Sequence, residues 1–161
     1  MFAVEPGPGQ ESVWDYPRPP RTETELREVI VRVGDVDVAR TRRALRVLET
    51  ASPPTVYIPP ADVAMAYLQS APGASRCEWK GTAHYWSVRV ESVVLDAVGW
   101  SYDDPLPAFA AIRGHLSFYP GRIECYIDGV RVTAQAGGFY GGWVTPNIIG
   151  PFKGEPGTNG W

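Results

Sequence analysis

The sequence predicts one mainly β domain: a rolled antiparallel sheet or small β-barrel with one short helix and extended N- and C-terminal arms. Three observations carry this prediction. Valines recur at every second position in short runs such as Val29, Val31 and Val33, the period of a strand. With 17 Gly and 16 Pro in 161 residues, turns are frequent. Aromatics make up 12% of the chain, with six Trp and eight Tyr, and few windows have helical period. The length fits one domain with a real core.

Residues 1–22 carry five prolines and read as an extended arm, with Trp14 and Tyr16 anchoring it on the body. The body spans 23–136. Val29–Val33 and Val36–Val38 flank Gly34-Asp35, a two-residue hairpin signal. Ala44–Glu49 and Thr55–Ile58 are two further strands split by Ser52-Pro53-Pro54. Pro59-Pro60-Ala61-Asp62 opens a helix of about two turns, with Val63, Ala66 and Tyr67 on one face and Pro72-Gly73 as its stop.

Ser75–Trp79 and Ala83–Val90 form a hairpin whose turn carries Lys80. His84, Trp86, Val88 and Val90 share one face of its second strand, and Tyr85, Ser87 and Arg89 the other. Val93–Tyr102 is nearly all apolar and is expected to be covered on both sides. Leu116–Tyr119 turns at Pro120-Gly121 into Ile123–Ile127, and Asp128-Gly129 turns that strand into Val130–Ala134. The hairpins around Gly34-Asp35 and Asp128-Gly129 resemble each other. Residues 137–161 are a Gly/aromatic-rich arm containing Phe139, Tyr140, Trp143, Phe152 and Trp161.

Composition excludes several classes. The net charge is -3, and the basic run Arg40, Arg42, Arg43 and Arg46 is offset by Asp35, Asp37 and Glu49, so there is no nucleic-acid footprint. No apolar run has the length of a membrane helix. The first ten residues lack a charged start and an apolar stretch, and there are two cysteines, Cys77 and Cys125. The expectation is a cytoplasmic protein with reduced thiols, although spacing does not say whether the two ever pair.

Against this background Trp79-Lys80-Gly81 stands out. The chain uses thirteen Arg but only two Lys, and the second is in Phe152-Lys153-Gly154, the same aromatic-Lys-Gly setting. Lysine is a compact charge whose pKa moves on desolvation; arginine's hardly moves.

Several stretches carry a resemblance to the DUF427 family, a domain of unknown function sometimes labelled nucleotidyltransferase-like. They are Trp14-x-Tyr16-Pro17-Arg18, Ala44-Leu45-Arg46-Val47-Leu48-Glu49, Tyr57-x-Pro59-x-x-Asp62-Val63, Cys77-x-Trp79-Lys80-Gly81-x-Ala83-x-Tyr85, Trp100-x-Tyr102 and Phe118-Tyr119. Phe139-Tyr140-Gly141-Gly142-Trp143 through Gly150-Pro151-Phe152-Lys153-Gly154 resembles the glycine-rich C-terminal extension of one subgroup. The resemblance implies a mostly β, cytoplasmic, bacterial-type domain and no established activity.

The candidate ligand-binding residues are Tyr57, Trp79, Lys80, Tyr85, Trp86, Trp100, Tyr102 and Tyr119, with Arg89 and Asp103 as further polar handles. Tyr and Trp carry polar atoms that seek partners, and this set exceeds what a core of this size needs. The competing account is an aromatic-rich core that clamps the two arms. Lys80 either binds an anion, acts as nucleophile or base, or is a solvated turn lysine above a packed Trp79. Cys77 is the other catalytic candidate, against a reading as a small buried hydrophobe.

Cys77, His84, His115 and Cys125 have the ligand count of structural zinc but lack knuckle spacing, so no metal is expected. No cofactor is expected either. Nucleotidyl transfer needs acids on Mg²⁺ and a phosphate loop. Asp35-x-Asp37 and Asp103-Asp104 are poor matches, and no such loop is present. The leading expectation is binding of a small polar or anionic ligand in an aromatic-lined pocket. One alternative is Lys80- or Cys77-based group transfer. Another is a homo-oligomeric assembly module, in which Trp143, Trp161 and Lys153 of the C-terminal arm reach a neighbouring subunit.

Overall fold

β-branched runs cut by Gly, Pro and Asp turns favour strands over helices. Strands make up half of the computed structural model, which describes residues 5–136 and 141–153. In chain order they are β1 (Glu11–Ser12), β2 (Arg21–Glu25), β3 (Val29–Val33), β4 (Val36–Thr41) and β5 (Ala44–Leu48). Then come β6 (Thr55–Tyr57), β7 (Leu68–Cys77), β8 (Gly81–Val90), β9 (Val93–Ser101) and β10 (Leu116–Phe118). The last are β11 (Glu124–Ile127), β12 (Val130–Arg131), β13 (Thr133–Ala134), β14 (Trp143–Val144) and β15 (Ile148–Ile149).

Three antiparallel sheets form the body, in the orders β10-β9-β8-β7, β12-β11-β3-β4 and β2-β5-β6. β13 and β14 make an antiparallel pair, and β1 and β15 a parallel one. Ile58, just past β6, exchanges backbone hydrogen bonds of 2.7 and 2.9 Å with Leu116 of β10. This bridge carries the three-stranded sheet on into the β10-β9-β8-β7 sheet. The surface rolls, as expected, and among the described residues it does not close into a barrel. The two similar hairpins lie side by side, because β11 pairs with β3. Asp128 and Gly129 both have positive φ, +48° and +78°, as a type I′ turn requires.

The main core gathers Val29, Val31, Val38, Ile58, Val88, Phe118 and Cys125 between the sheets. A second core is aromatic: Tyr57, Trp100, Tyr102 and Phe109 with Val47 and Ile112. A third is small and joins the two ends of the chain. Val13, Tyr16, Leu48 and Ile148 form it, with Trp14 and Phe152 packed beside them. The Trp14 indole N–H donates to the Pro151 carbonyl at 3.0 Å.

Four local expectations change. The predicted helix is realised as two 3₁₀ turns, Pro60–Asp62 and Met65–Tyr67. Between them Val63 bridges Ala39, and the Ala64 N–H donates to the Val38 carbonyl, which pulls the segment into extended pairing. Two turns are too few to resist this. Pro72-Gly73 then forms a bulge inside β7 rather than a stop. Pro120-Gly121 is no hairpin, since β10 pairs with β9 while β11 pairs with β3 in another sheet. Val93 and Val94 are 44% and 51% exposed, so the start of β9 is not covered on both sides. The alternation along β8 holds, with Trp86, Val88 and Val90 all toward the main core, although the β8–β9 ladder shifts register after Trp86, where Ala97 takes φ +49°.

Trp143 is buried within its own chain; its backbone N–H donates to Pro54 and its indole N–H to Phe118. It is therefore not available to a neighbouring subunit. Phe139, Tyr140 and Trp161 lie outside the described residues. No helix among the described residues is long and apolar enough to cross a membrane.

The N-terminal segment is held by charge as well as packing. Arg46, buried on β5, pairs with Glu11 at 2.7 Å and with Glu23, and the Tyr16 hydroxyl donates to Glu11. Burial alone would raise the Glu11 carboxyl, but Arg46 and Tyr16 outweigh it and hold the pKa below the ordinary value. Arg27 does the same for Glu25. Such carboxylates stabilise the fold above their unfolded pKa and lose that contribution as pH falls through their lowered one.

Two outcomes are expected. Arg46→Met lowers stability at neutral pH by about 2 kcal/mol, less than for a fully buried pair because both partner carboxylates are partly exposed. It also makes the acid limb of stability shallower, which urea unfolding at about pH 7 and about pH 4 measures. Trp143→Ala, which empties a fully buried site, lowers stability by about 3–5 kcal/mol in the same assay.

Candidate functional site

The β7–β8 hairpin sets the position of Lys80. Cys77 pairs with Gly81, leaving Glu78–Lys80 as the turn. Gly81 has φ +114°, which a side chain would strain, and it lies against Asp104–Leu106. The Lys80 carbonyl accepts from the Leu106 N–H at 2.9 Å, so the 102–106 loop holds the turn down. The mostly buried ammonium then lies 5.9 Å from the Tyr102 ring centre and 6.0 Å from that of Phe109. Both are cation–π distances.

The aromatic core supplies the walls. Tyr57 meets Trp100 edge-on, 6.2 Å apart at 89°, and its hydroxyl accepts the Trp100 indole N–H at 3.2 Å. Tyr119 packs on the other side of Trp100 at 4.6 Å. Tyr85 donates to the Ser75 hydroxyl at 2.8 Å.

The remaining wall is C-terminal. A Cβ on Gly141 would stand 2.2 Å from the Trp100 ring, so only glycine lets the backbone come this close. Gln135, buried, accepts from the Gly142 N–H at 3.2 Å and donates to the Lys153 carbonyl at 2.5 Å. The Lys153 N–H donates to Ala51. Together these elements enclose a cleft of about 330 Å³.

Seven of the eight predicted ligand residues line this cleft: Tyr57, Trp79, Lys80, Tyr85, Trp100, Tyr102 and Tyr119. Trp86 does not. Neighbours on a strand point to opposite faces, so Tyr85 in the cleft puts Trp86 on the other face, packed against the main core. There it stacks on His84 at 4.8 Å and donates to the Ser101 hydroxyl. Arg89 is exposed, and Asp103 belongs to the outer face with His84. Cys77 lines the cleft, partly buried, with Glu49 and Glu78 at other points of the lining.

Sequence reasoning did not place Gln135, Gly141 or Lys153 at the site. The signal available for Lys153 was the aromatic-Lys-Gly pattern that it shares with Lys80.

The electrostatics favour donors. Burial works against the Lys80 charge, but interactions with Tyr57, Cys77 and Glu49 outweigh it, so its pKa is raised and it is an ammonium at neutral pH. Burial raises Tyr57 and Tyr102, and Tyr119 is pushed up to about 12. Near neutrality the cleft therefore presents an ammonium and phenolic O–H groups rather than phenolates.

The four residues with zinc-type side chains are not gathered. Cys125 is buried on β11, its thiol near the Ile123 carbonyl, and both cysteines are free. Among the described residues no three His, Cys, Asp or Glu are grouped as a metal site. Ser70, His84 and Asp103 form a chain on the outer face, Oγ to Nε2 at 2.9 Å and Nδ1 to Oδ2 at 3.7 Å. The second contact exceeds a hydrogen bond and Asp103 is 66% exposed, so this is no preorganised triad. A more open depression of about 590 Å³ lies beside β2, where Arg46 and Arg27 already pair Glu11, Glu23 and Glu25.

Comparison with known proteins adds one result. No curated protein matches the chain. The family model for a domain of unknown function (DUF427) matches residues 21–129. All seven cleft residues named above fall within that stretch, whereas Gln135, Gly141, Gly142 and Lys153 lie beyond it. The match takes in more than half of the chain, which therefore belongs to the DUF427 family.

Proposed function

We propose that the protein binds a small planar ligand carrying an anionic group, with the ring against the Tyr and Trp walls and the anion on Lys80. One observation supports this above the others. Lys80 is a mostly buried ammonium among rings and phenols, and among the described residues no carboxylate lies within ion-pair distance of it. A buried charge without a counter-charge is costly, and an anionic ligand supplies one.

The enzyme alternatives have less support. A lysine with a raised pKa is a poor nucleophile or base at neutral pH. Nucleotidyl transfer needs carboxylates open to a metal. Asp37 is instead paired with Arg32 at 2.8 Å and Arg40 at 3.6 Å, and Asp35 sits exposed in a turn. The assembly reading has less support, since Trp143 is buried in its own chain and Lys153 lines its own cleft, while Trp161 lies outside the described residues. The two free thiols fit a cytoplasmic location.

Two measurements test the reading. Benzoate at millimolar concentration is expected to raise the melting temperature, while benzamide, its uncharged counterpart, does not. Lys80→Met abolishes the benzoate shift and unfolds within about 1 kcal/mol of the wild type, because a buried charge has been exchanged for an apolar chain. Equal shifts with both compounds, or a shift that survives in Lys80→Met, sink the idea. Benzoate affinity should also stay flat from about pH 6 to about pH 9, since both charges persist over that range. Titration calorimetry shows a fall in that window if the working form of Lys80 loses its proton there.

A further inference from the structure

The turn that carries Lys80 also carries a thiol. Cys77 is the last residue of β7 and pairs with Gly81 across the turn, and the side chains of Cys77 and Lys80 both line the cleft. There both meet Tyr102. The Lys80 ammonium lies 5.9 Å from the Tyr102 ring centre. The Cys77 thiol interacts at hydrogen-bonding range with the Lys80 ammonium and with the Tyr102 hydroxyl. Cys77 is partly buried against the aromatic core yet borders the cleft. The other thiol is its opposite. Cys125 is fully buried in the main core, where burial pushes its pKa well above the ordinary thiol value.

We propose that Cys77 is a peroxide-reactive modification site, and that its oxidised form is held in the cleft by Lys80 and Tyr102. A neighbouring cation stabilises negative charge on sulfur, and it is charged sulfur that attacks a peroxide. The sulfur attacks one oxygen of a hydroperoxide. An S–O bond forms as the O–O bond breaks, and the thiol's proton leaves with the departing oxygen as water or an alcohol. Sulfur loses two electrons and the peroxide gains them, which leaves a sulfenic acid. No second thiol of the chain can resolve it, since Cys125 lies on β11 in a different core. The new oxygen accepts from the Lys80 ammonium and the Tyr102 hydroxyl, donors that sulfur, a weak acceptor, satisfies poorly. This oxidation does not depend on the anion reading of the cleft. One consequence does: an oxygen on Cys77 takes the donors of the cationic end, so oxidation competes with a bound anion.

The full chain is exposed to a few equivalents of hydrogen peroxide with dimedone, which traps sulfenic acids, and the two cysteine peptides are compared by mass spectrometry. The adduct is expected on Cys77 and not on Cys125. In Lys80→Met the labelling rate at Cys77 falls by about tenfold, the effect of losing one hydrogen bond to a charged group in the reacting state. Cys125 stays unlabelled in that variant, which shows that the loss is not unfolding. Tyr102→Phe keeps the ring, removes the hydroxyl and slows labelling by about threefold; it decides the case if Lys80→Met exposes Cys125. No adduct on Cys77, equal labelling of both cysteines, or an unchanged rate in folded Lys80→Met overturns the proposal. Peroxide is also expected to abolish the benzoate shift of the wild type, with recovery on dithiothreitol, and to leave the shift of Cys77→Ser as it was. Benzoate binding that survives on oxidised Cys77 refutes the competition. If benzoate never binds, the proposed function fails alone, because dimedone labelling does not depend on it.

Discussion

Two reciprocal hydrogen bonds between Ile58 and Leu116 turn separate sheets into one rolled surface, and the cleft depends on that join. Side chains alternate along a strand. Val56 and Ile58 therefore go to the main core, while Tyr57 between them goes to the aromatic one. The join also brings Tyr57 to the β9–β10 ladder, where Trp100 pairs with Ser117. The edge-on Tyr57–Trp100 contact and its indole–hydroxyl bond follow from this placement. Without the join, β6 would be the unpaired edge of a three-stranded sheet, and the aromatic core would lack one of its sides.

Onto this floor the hairpin turn brings a charge. The faces of Tyr102 and Phe109 offset part of the cost of holding an ammonium among rings. They do not replace a carboxylate. The tyrosines around it keep their protons, so the site is rich in donors where it is also positively charged. That combination suits recognition of an anion and gives no group well placed to abstract a proton at neutral pH. Arg46 shows the contrast. It is also largely buried, but Glu11 and Glu23 pair with it, and these pairs fasten the N-terminal segment and β2 to β5.

What could be read from the sequence was mostly local. The hairpins at Gly34-Asp35 and Asp128-Gly129 are set by two-residue turns, whose chemistry is visible in the chain. The partners of β10 and β11 are not, because Pro120-Gly121 looks the same whether it joins paired strands or strands of different sheets. The two-turn helix expected after Pro59-Pro60-Ala61-Asp62 failed for a related reason: Val63 pairs with Ala39, far away in sequence, and that pairing overrides a weak local preference. Bulges are equally silent: nothing in the chain marks the register shift between β8 and β9 after Trp86, although the face of Trp86, Val88 and Val90 is kept. At the site, Lys80 and its rings were legible as a rare residue type in an aromatic setting. Gln135 and Gly141 were not, since their roles are approaches to Trp100 and Lys153 that exist only once the chain is folded.

The family match and the cleft do not end at the same residue, and the mismatch is informative. The aromatic floor and one lysine lie inside residues 21–129; a wall and the other lysine lie outside. Within one chain the site thus has two separable parts. The rings and phenols are built into the aromatic core and cannot change without disturbing it, and Lys80 is set by the β7–β8 turn. The Lys153 segment is held at its backbone, where its N–H donates to the Ala51 carbonyl and its own carbonyl accepts from the Gln135 side chain. The wall beyond the family match is thus set by backbone approaches, of Gly141 to Trp100 and of Lys153 to Ala51 and Gln135, rather than by pairing within the three main sheets.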